Sequence, residues 1–232
     1  MDTSELLLNG FGAFAGAFFA FLFLRLGEFL TKVYERQVKH YNSLVNLEVQ
    51  LNEIGGIIHD DLYILPPFIK TIKLGHVYFN NLHTLKIDRN HYENLCNLAL
   101  LNELFSYNYQ IRKINDDIET MSSGYQDIKN ALIQRNITPQ EYKVNADVLS
   151  ENLEYIRLFL VNFQEKTINL IARIRIHIKH DQPLGARLMR PFISAVRYKL
   201  KEEDIKKETK MLKLEIEESV KKSSADIKKI LS

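Results

Sequence analysis

The chain has 232 residues, 46% hydrophobic and 26% charged, with a net charge of +2. So small a net charge argues against a dedicated nucleic-acid binder, which carries a concentrated basic surface. Cys96 is the single cysteine, so no intramolecular disulfide can form. Glycine and proline are sparse, while Leu, Ile, Lys, Glu and Asn dominate, which points to helices rather than strands and turns.

Residues 6–24 read LLLNGFGAFAGAFFAFLFL, nineteen positions without a charge. As a helix this run is about 28 Å long, close to the ~30 Å hydrocarbon core of a bilayer. The preceding MDTSE has no Lys or Arg, and Arg25 follows the run directly. That pattern fits an uncleaved anchor better than a signal peptide, which needs a basic start and a cleavage site after the apolar stretch. Arg25, Lys32, Arg36 and Lys39 flank only the C-terminal side, so the positive-inside rule predicts a single-pass protein of the cell inner membrane. Its N-terminus faces outward and its body is cytoplasmic. Gly12, Gly16 and Ala20 recur every fourth residue on one helix face. Small-xxx-small stripes let two helices approach closely in lipid, so these three are the candidate self-association residues of a homo-oligomer.

After the anchor (residues 1–27), the sequence predicts a helical stalk over 28–56. Leu44, Leu47, Leu51 and Ile54 follow 3-4-3 spacing, and Gly55-Gly56 is expected to end the helix. A helix from residue 6 to 54 is roughly 73 Å long and reaches ~45 Å from the membrane. Residues 57–198 form the expected helical body. Its first part, to Asp88, reads as irregular, with Leu65-Pro66-Pro67-Phe68 holding extended backbone before the prolines. Asp88 or Asn90 is positioned to cap a helix over about 90–135. In that helix Ile111, Ile114, Ile118, Met121, Tyr125, Ile128 and Leu132 form an alternating 3-4 seam. Thr138-Pro139-Gln140-Glu141 is a helix start: N-cap, Pro at N1 and Glu at N3. The short link implies an antiparallel hairpin. Residues 173–179, RIRIHIK, alternate like a strand but have no partner strand, so they are read as helix. Pro183, Gly185 and Pro191 then break the chain. Residues 199–232 form a charged helix and tail with favourable pairs such as Glu202–Lys206 and Glu217–Lys221. A thin apolar stripe makes this helix a solvated or partner-docking arm. The expected fold class is therefore all-α: an N-terminal transmembrane helix continuing into a stalk, packed with a long antiparallel helical hairpin, plus a charged C-terminal helix.

Few groups suggest chemistry. His59-Asp60 resembles the adjacent pair of helical metal phosphohydrolases, with His40 and Asp88 or Asp116 as conceivable further ligands. A second such dipeptide, His180-Asp181, shows how readily it arises, and His177 with His180 are one turn apart without a third ligand. No phosphate loop, dinucleotide glycine pattern, Gly-x-Ser-x-Gly or CxxC is present. No catalytic residue, metal or cofactor is therefore assigned. Arg173, Arg175, Lys179, Arg187, Arg190, Arg197 and Lys199 cluster with Asp181 as the one acidic neighbour in sequence. Together they are the candidate contact for anionic lipid or an acidic partner, with nucleic acid less favoured.

The stretches GFGAFAGAFFAFLFLRLGEFL, SLVNLEVQLNEI, LYILPPF and NLALLNELFSYNYQIRKIND, in this order, resemble a broad class of uncharacterised bacterial membrane-anchored helical proteins. The resemblance covers most of residues 6–180 and is architectural. It implies an anchor, a charged stalk and an antiparallel helical pair, and carries over no activity. The expected function is a membrane-tethered adaptor or scaffold, not an enzyme, that binds the bilayer, its own copies and a cytoplasmic protein. The alternatives are an oligomerising membrane effector of a stress- or phage-responsive kind, and a His-Asp phosphohydrolase.

Overall fold

The computed structural model describes residues 3–74, 82–181 and 201–231, with side chains over 11–74, 82–90, 92–181 and 201–218. The architecture is all-helical: α1 (Thr3–Lys73), a 3-10 turn (Arg89–His91), α2 (Leu98–Ile133), α3 (Pro139–His180) and α4 (Glu202–Leu231). The central element is α3, which packs against α1, α2 and α4.

The expected stop at Gly55-Gly56 does not occur, nor does extended backbone at Leu65-Pro66-Pro67-Phe68; α1 runs unbroken to Lys73 with both prolines inside it. The reason is packing. Buried positions Leu44, Leu47, Leu51, Ile54, Ile58, Asp61, Leu65, Phe68 and Ile72 repeat with alternating 3-4 spacing across both supposed breaks. A helical glycine costs about 1 kcal/mol and a proline about 3, less than the burial of several Leu and Ile side chains. Gly55 also faces Thr167 of α3, where an added Cβ would stand 3.9 Å from its methyl.

The hairpin forms as predicted. Thr138 makes a full capping box with Glu141, and Pro139 opens α3. The next seam is complete: Ala146, Leu149, Leu153, Ile156, Leu160, Phe163, Thr167, Leu170, Ile174 and His177 are all buried. Residues 173–179 are helical. Their alternation of buried Ile with charged residues arises because α3 is enclosed there from several sides.

The register is antiparallel on both flanks of α3. His40 meets Asp181, Glu48 meets Arg175 and Gly55 meets Thr167. Toward α2, Asn97 meets His177, Glu103 meets Arg173 and Tyr107 meets Thr167. The helix expected from about residue 90 starts at Leu98 instead, capped by Asn97. Residues 82–97 before it form a strap that runs back down α1. His83 binds Asp61, the Asp88 N–H donates to Gln50, and the Cys96 N–H donates to His40. On the α2 side, the Asn115 amide both accepts from the Leu85 N–H (2.8 Å) and donates to the Leu85 carbonyl (2.7 Å). Leu82, Leu85, Ile87 and Tyr92 of this segment are buried.

One part of the fold stands alone. From Phe11 to Arg36 no residue of α1 is buried, and Phe11, Phe14, Phe18, Phe21, Phe23, Phe29 and Leu30 are each more than half exposed. The 18-residue window of highest hydropathy averages 1.7 and is 0% buried, so among the described residues one helix is long and apolar enough to cross a membrane.

Candidate functional site

Three polar clusters interrupt the seams, and each is closed by its own partners. At the end of the body nearest the exposed helix, His40, His177 and Asp181 meet. The Asp181 Oδ2 lies 3.4 Å from His40 Nε2 and 3.2 Å from His177 Nδ1. The other ring nitrogens are also occupied: the Cys96 N–H faces His40 Nδ1 at 3.3 Å, and the Asn97 amide nitrogen faces His177 Nε2 at 3.2 Å. Asn97 Oδ1 already accepts from the Ala99 and Leu100 N–H groups as the α2 cap, so its amide nitrogen is the group left to donate to His177. Burial alone raises the Asp181 carboxyl, but the hydrogen bonds from His177 and His40 outweigh it and hold the group well below the usual carboxylate range. The cluster ties α1, the strap, the start of α2 and the end of α3 into one node.

The second cluster is Asp61, fully buried on the α1 seam. His83 of the strap gives it a backbone N–H at 3.2 Å and Nδ1 at 2.8 Å. Burial pushes the Asp61 carboxyl above its ordinary value, against the lowering effect of the His83 bonds. In the third, Tyr107 OH lies 2.7 Å from Thr167 Oγ1, which donates to the Phe163 carbonyl. The Tyr107 ring stacks on Phe163 with centroids 4.5 Å apart. Burial raises the Tyr107 hydroxyl above its usual range.

These geometries do not assemble a His-Asp hydrolase centre. His59 and Asp60 are exposed, and His59 lies nineteen residues from His40 along one helix, roughly 28 Å. Both nitrogens of His177 are engaged away from His180. Among the described residues no three His, Cys, Asp or Glu side chains are grouped to hold a metal.

The basic cluster is divided by the fold. Arg173 pairs with Glu103 at 2.9 Å; Arg175 bridges Glu48 of α1 (2.6 Å) and Glu215 of α4 (2.8 Å); Lys179 pairs with Glu208 of α4 (2.7 Å). Arg187, Arg190 and Arg197 lie outside the described residues. The acidic partners come from three other helices, 29 to 127 residues away, so sequence proximity could not reveal them. The same pairs dock the first half of α4, where Leu212 is 2% exposed and Glu208 is 9% exposed. That half is therefore part of the body rather than a free arm. A groove of about 610 Å³ separates α2, α3 and the start of α4; Lys166, Arg173 and Lys206 line it together with Glu103 and Glu202. Cations and carboxylates alternate there, so it is no anion well. Arg173 Nε is buried without an acceptor among the described residues.

Gly12, Gly16 and Ala20 lie on the uncovered part of α1, and a Cβ added at either glycine meets nothing within 4 Å. They are brought into contact with no other part of the described chain. No family model, curated protein or solved structure matches this chain.

Proposed function

We propose that this protein is a membrane-tethered, non-catalytic helical scaffold. It inserts residues 6–24 of α1 in the inner membrane with its N-terminus outside, self-associates there, and offers a rigid cytoplasmic body to a protein partner. The observation that carries this reading is the contrast along one helix: α1 is unburied and uncharged from Phe11 to Leu24, then buried on a continuous seam from Leu44 to Ile72. A helix of this kind transmits position from the bilayer to the body without a hinge. The polar groups of the His40–His177–Asp181, Asp61–His83 and Tyr107–Thr167 clusters are bonded to one another, which supports a structural rather than a catalytic role for them. Self-association is assigned to Gly12, Gly16 and Ala20, whose open face admits close approach of a second span.

In-cell crosslinking of the full-length chain, with mass spectrometry of what co-purifies, tests the proposal. A stoichiometric foreign protein together with self-crosslinks through α1 is the expected result. Gly16→Leu should abolish the self-crosslinks while leaving the body folded. Truncation after Glu218 probes the partner without disturbing the docked half of α4. Recovery of a monomer with no co-purifying protein in any condition would sink the scaffold reading.

A further inference from the structure

We propose that a ridge of exposed basic side chains on α1, Lys32, Arg36 and Lys39, binds the headgroups of anionic phospholipids. The inference rests on the membrane-span reading. It starts from a count of which cations are already committed. Arg173, Arg175 and Lys179 each have a carboxylate partner within the body, and Arg25 pairs with Glu28 at 3.1 Å while its guanidinium lies over the Phe21 ring. Lys32, Arg36 and Lys39 are exposed and have no carboxylate partner among the described residues, and Glu35 on their flank is paired with none of them.

Their placement is specific. At about 100° per residue, positions 32, 36 and 39 fall within roughly 60° of one another, on one face of the helix. Uncovered apolar surface continues past Arg25 through Leu26 (50% exposed), Phe29 (64%) and Leu30 (57%). The uncharged run ends at Leu24 and the uncovered apolar surface at Leu30, so the hydrocarbon boundary falls between them. The three charges then lie about 3–12, 9–18 and 14–22 Å above it along the axis. The headgroup layer adds roughly 5–8 Å on each side of the core, and a charge is felt over a further ~8 Å at physiological salt. Long Lys and Arg stems reach several ångströms back toward the interface. Exposed Tyr34 sits at the same level, as aromatic side chains do at the edge of a bilayer. The body is buried only from His40 upward, so nothing described covers the ridge.

The test uses full-length protein reconstituted into vesicles of equimolar phosphatidylcholine and phosphatidylglycerol. The protein is re-extracted in mild detergent and its retained lipids are counted by native mass spectrometry. Wild type should retain phosphatidylglycerol over phosphatidylcholine by about three-fold or more, falling at about 0.5 M salt. The triple variant K32Q/R36Q/K39Q should return the ratio to near one with an unchanged melting temperature, because the ridge lies outside the packed body. An even ratio for wild type, or enrichment that survives in the triple variant, overturns the proposal. Enrichment lost instead in R187Q/R190Q/R197Q, with the ridge variant unaffected, overturns it in favour of the other basic segment. Wild-type protein that alkaline carbonate strips from the vesicles fails the membrane reading itself, a result distinct from correct insertion without lipid preference.

Discussion

Asp61 occupies a seam position where its neighbours in the pattern are Ile58 and Leu65, yet it is fully buried. It holds the strap through two donors on His83. Asp61→Ala leaves the His83 N–H without its acceptor and should destabilise the protein by about 1–3 kcal/mol in chemical denaturation. Asp61→Asn keeps one acceptor for the N–H and one donor for the ring, and should cost far less. Asp61 and Asp181 respond to pH with opposite signs. Asp61 is raised above 3.8 in the folded protein, so its contribution is fully present below that value and lost as pH rises through its native value. Asp181 is lowered, so its contribution is present above 3.8 and lost as pH falls. Stability should therefore decline on acidification below about pH 4, and Asp181→Asn should flatten that limb of a denaturation–pH profile.

At the scale of the element, α1 shows where a reading of the sequence stops. Its 3-4 repeat passes through Gly55-Gly56 and Pro66-Pro67, residues that punctuate isolated helices, and the one polar seam member, Asp61, lies between them. Local signals therefore pointed to a break while the tertiary partner, α3, supplied the burial that overrides them. The hairpin was legible because its local signals agree with its packing: the Thr138 capping box opens α3, and unbroken apolar seams follow. The strap was not legible, because its bonds run to Gln50, Asp61 and Asn115, side chains with no periodic mark. Likewise the polar node joins His40 to Asp181, 141 residues apart. Gly124 in α2 is a local weakness of another kind. A Cβ there meets nothing within 4 Å, so Gly124→Ala should stabilise the protein by about 0.5–1 kcal/mol in thermal or denaturant melts.

Across the whole molecule, three helices converge on Arg175, which joins Glu48, α3 and Glu215 in one chain of charges with its side chain 23% exposed. Burial works against the Arg175 guanidinium, but the bonds to Glu215 and Glu48 outweigh it and raise its proton affinity. Arg175→Gln should loosen α4 from the body by roughly 1–2 kcal/mol, seen as faster amide exchange over residues 202–216 with α1–α3 protection retained. Equal loss of protection across all four helices would instead make Arg175 a determinant of the global fold. Arg175 and Lys179, with Glu165 and Asn169, tie residues 208–215 of α4 to α3.

The central position of α3 has a consequence in time. The chain makes α1 first, then the strap and α2, and only afterwards the helix that all of them pack on. Until residue 180 has been synthesised, the seam from Leu44 to Ile72 has no long partner, although the exposed apolar stretch ahead of it is already complete. Contacts such as Glu48–Arg175 close loops of 127 residues, which makes for slow folding despite the helical content. Through that interval an apolar helical face is uncovered. Assembly of this body is therefore a contest between the arrival of α3 and capture of the waiting face by another apolar surface.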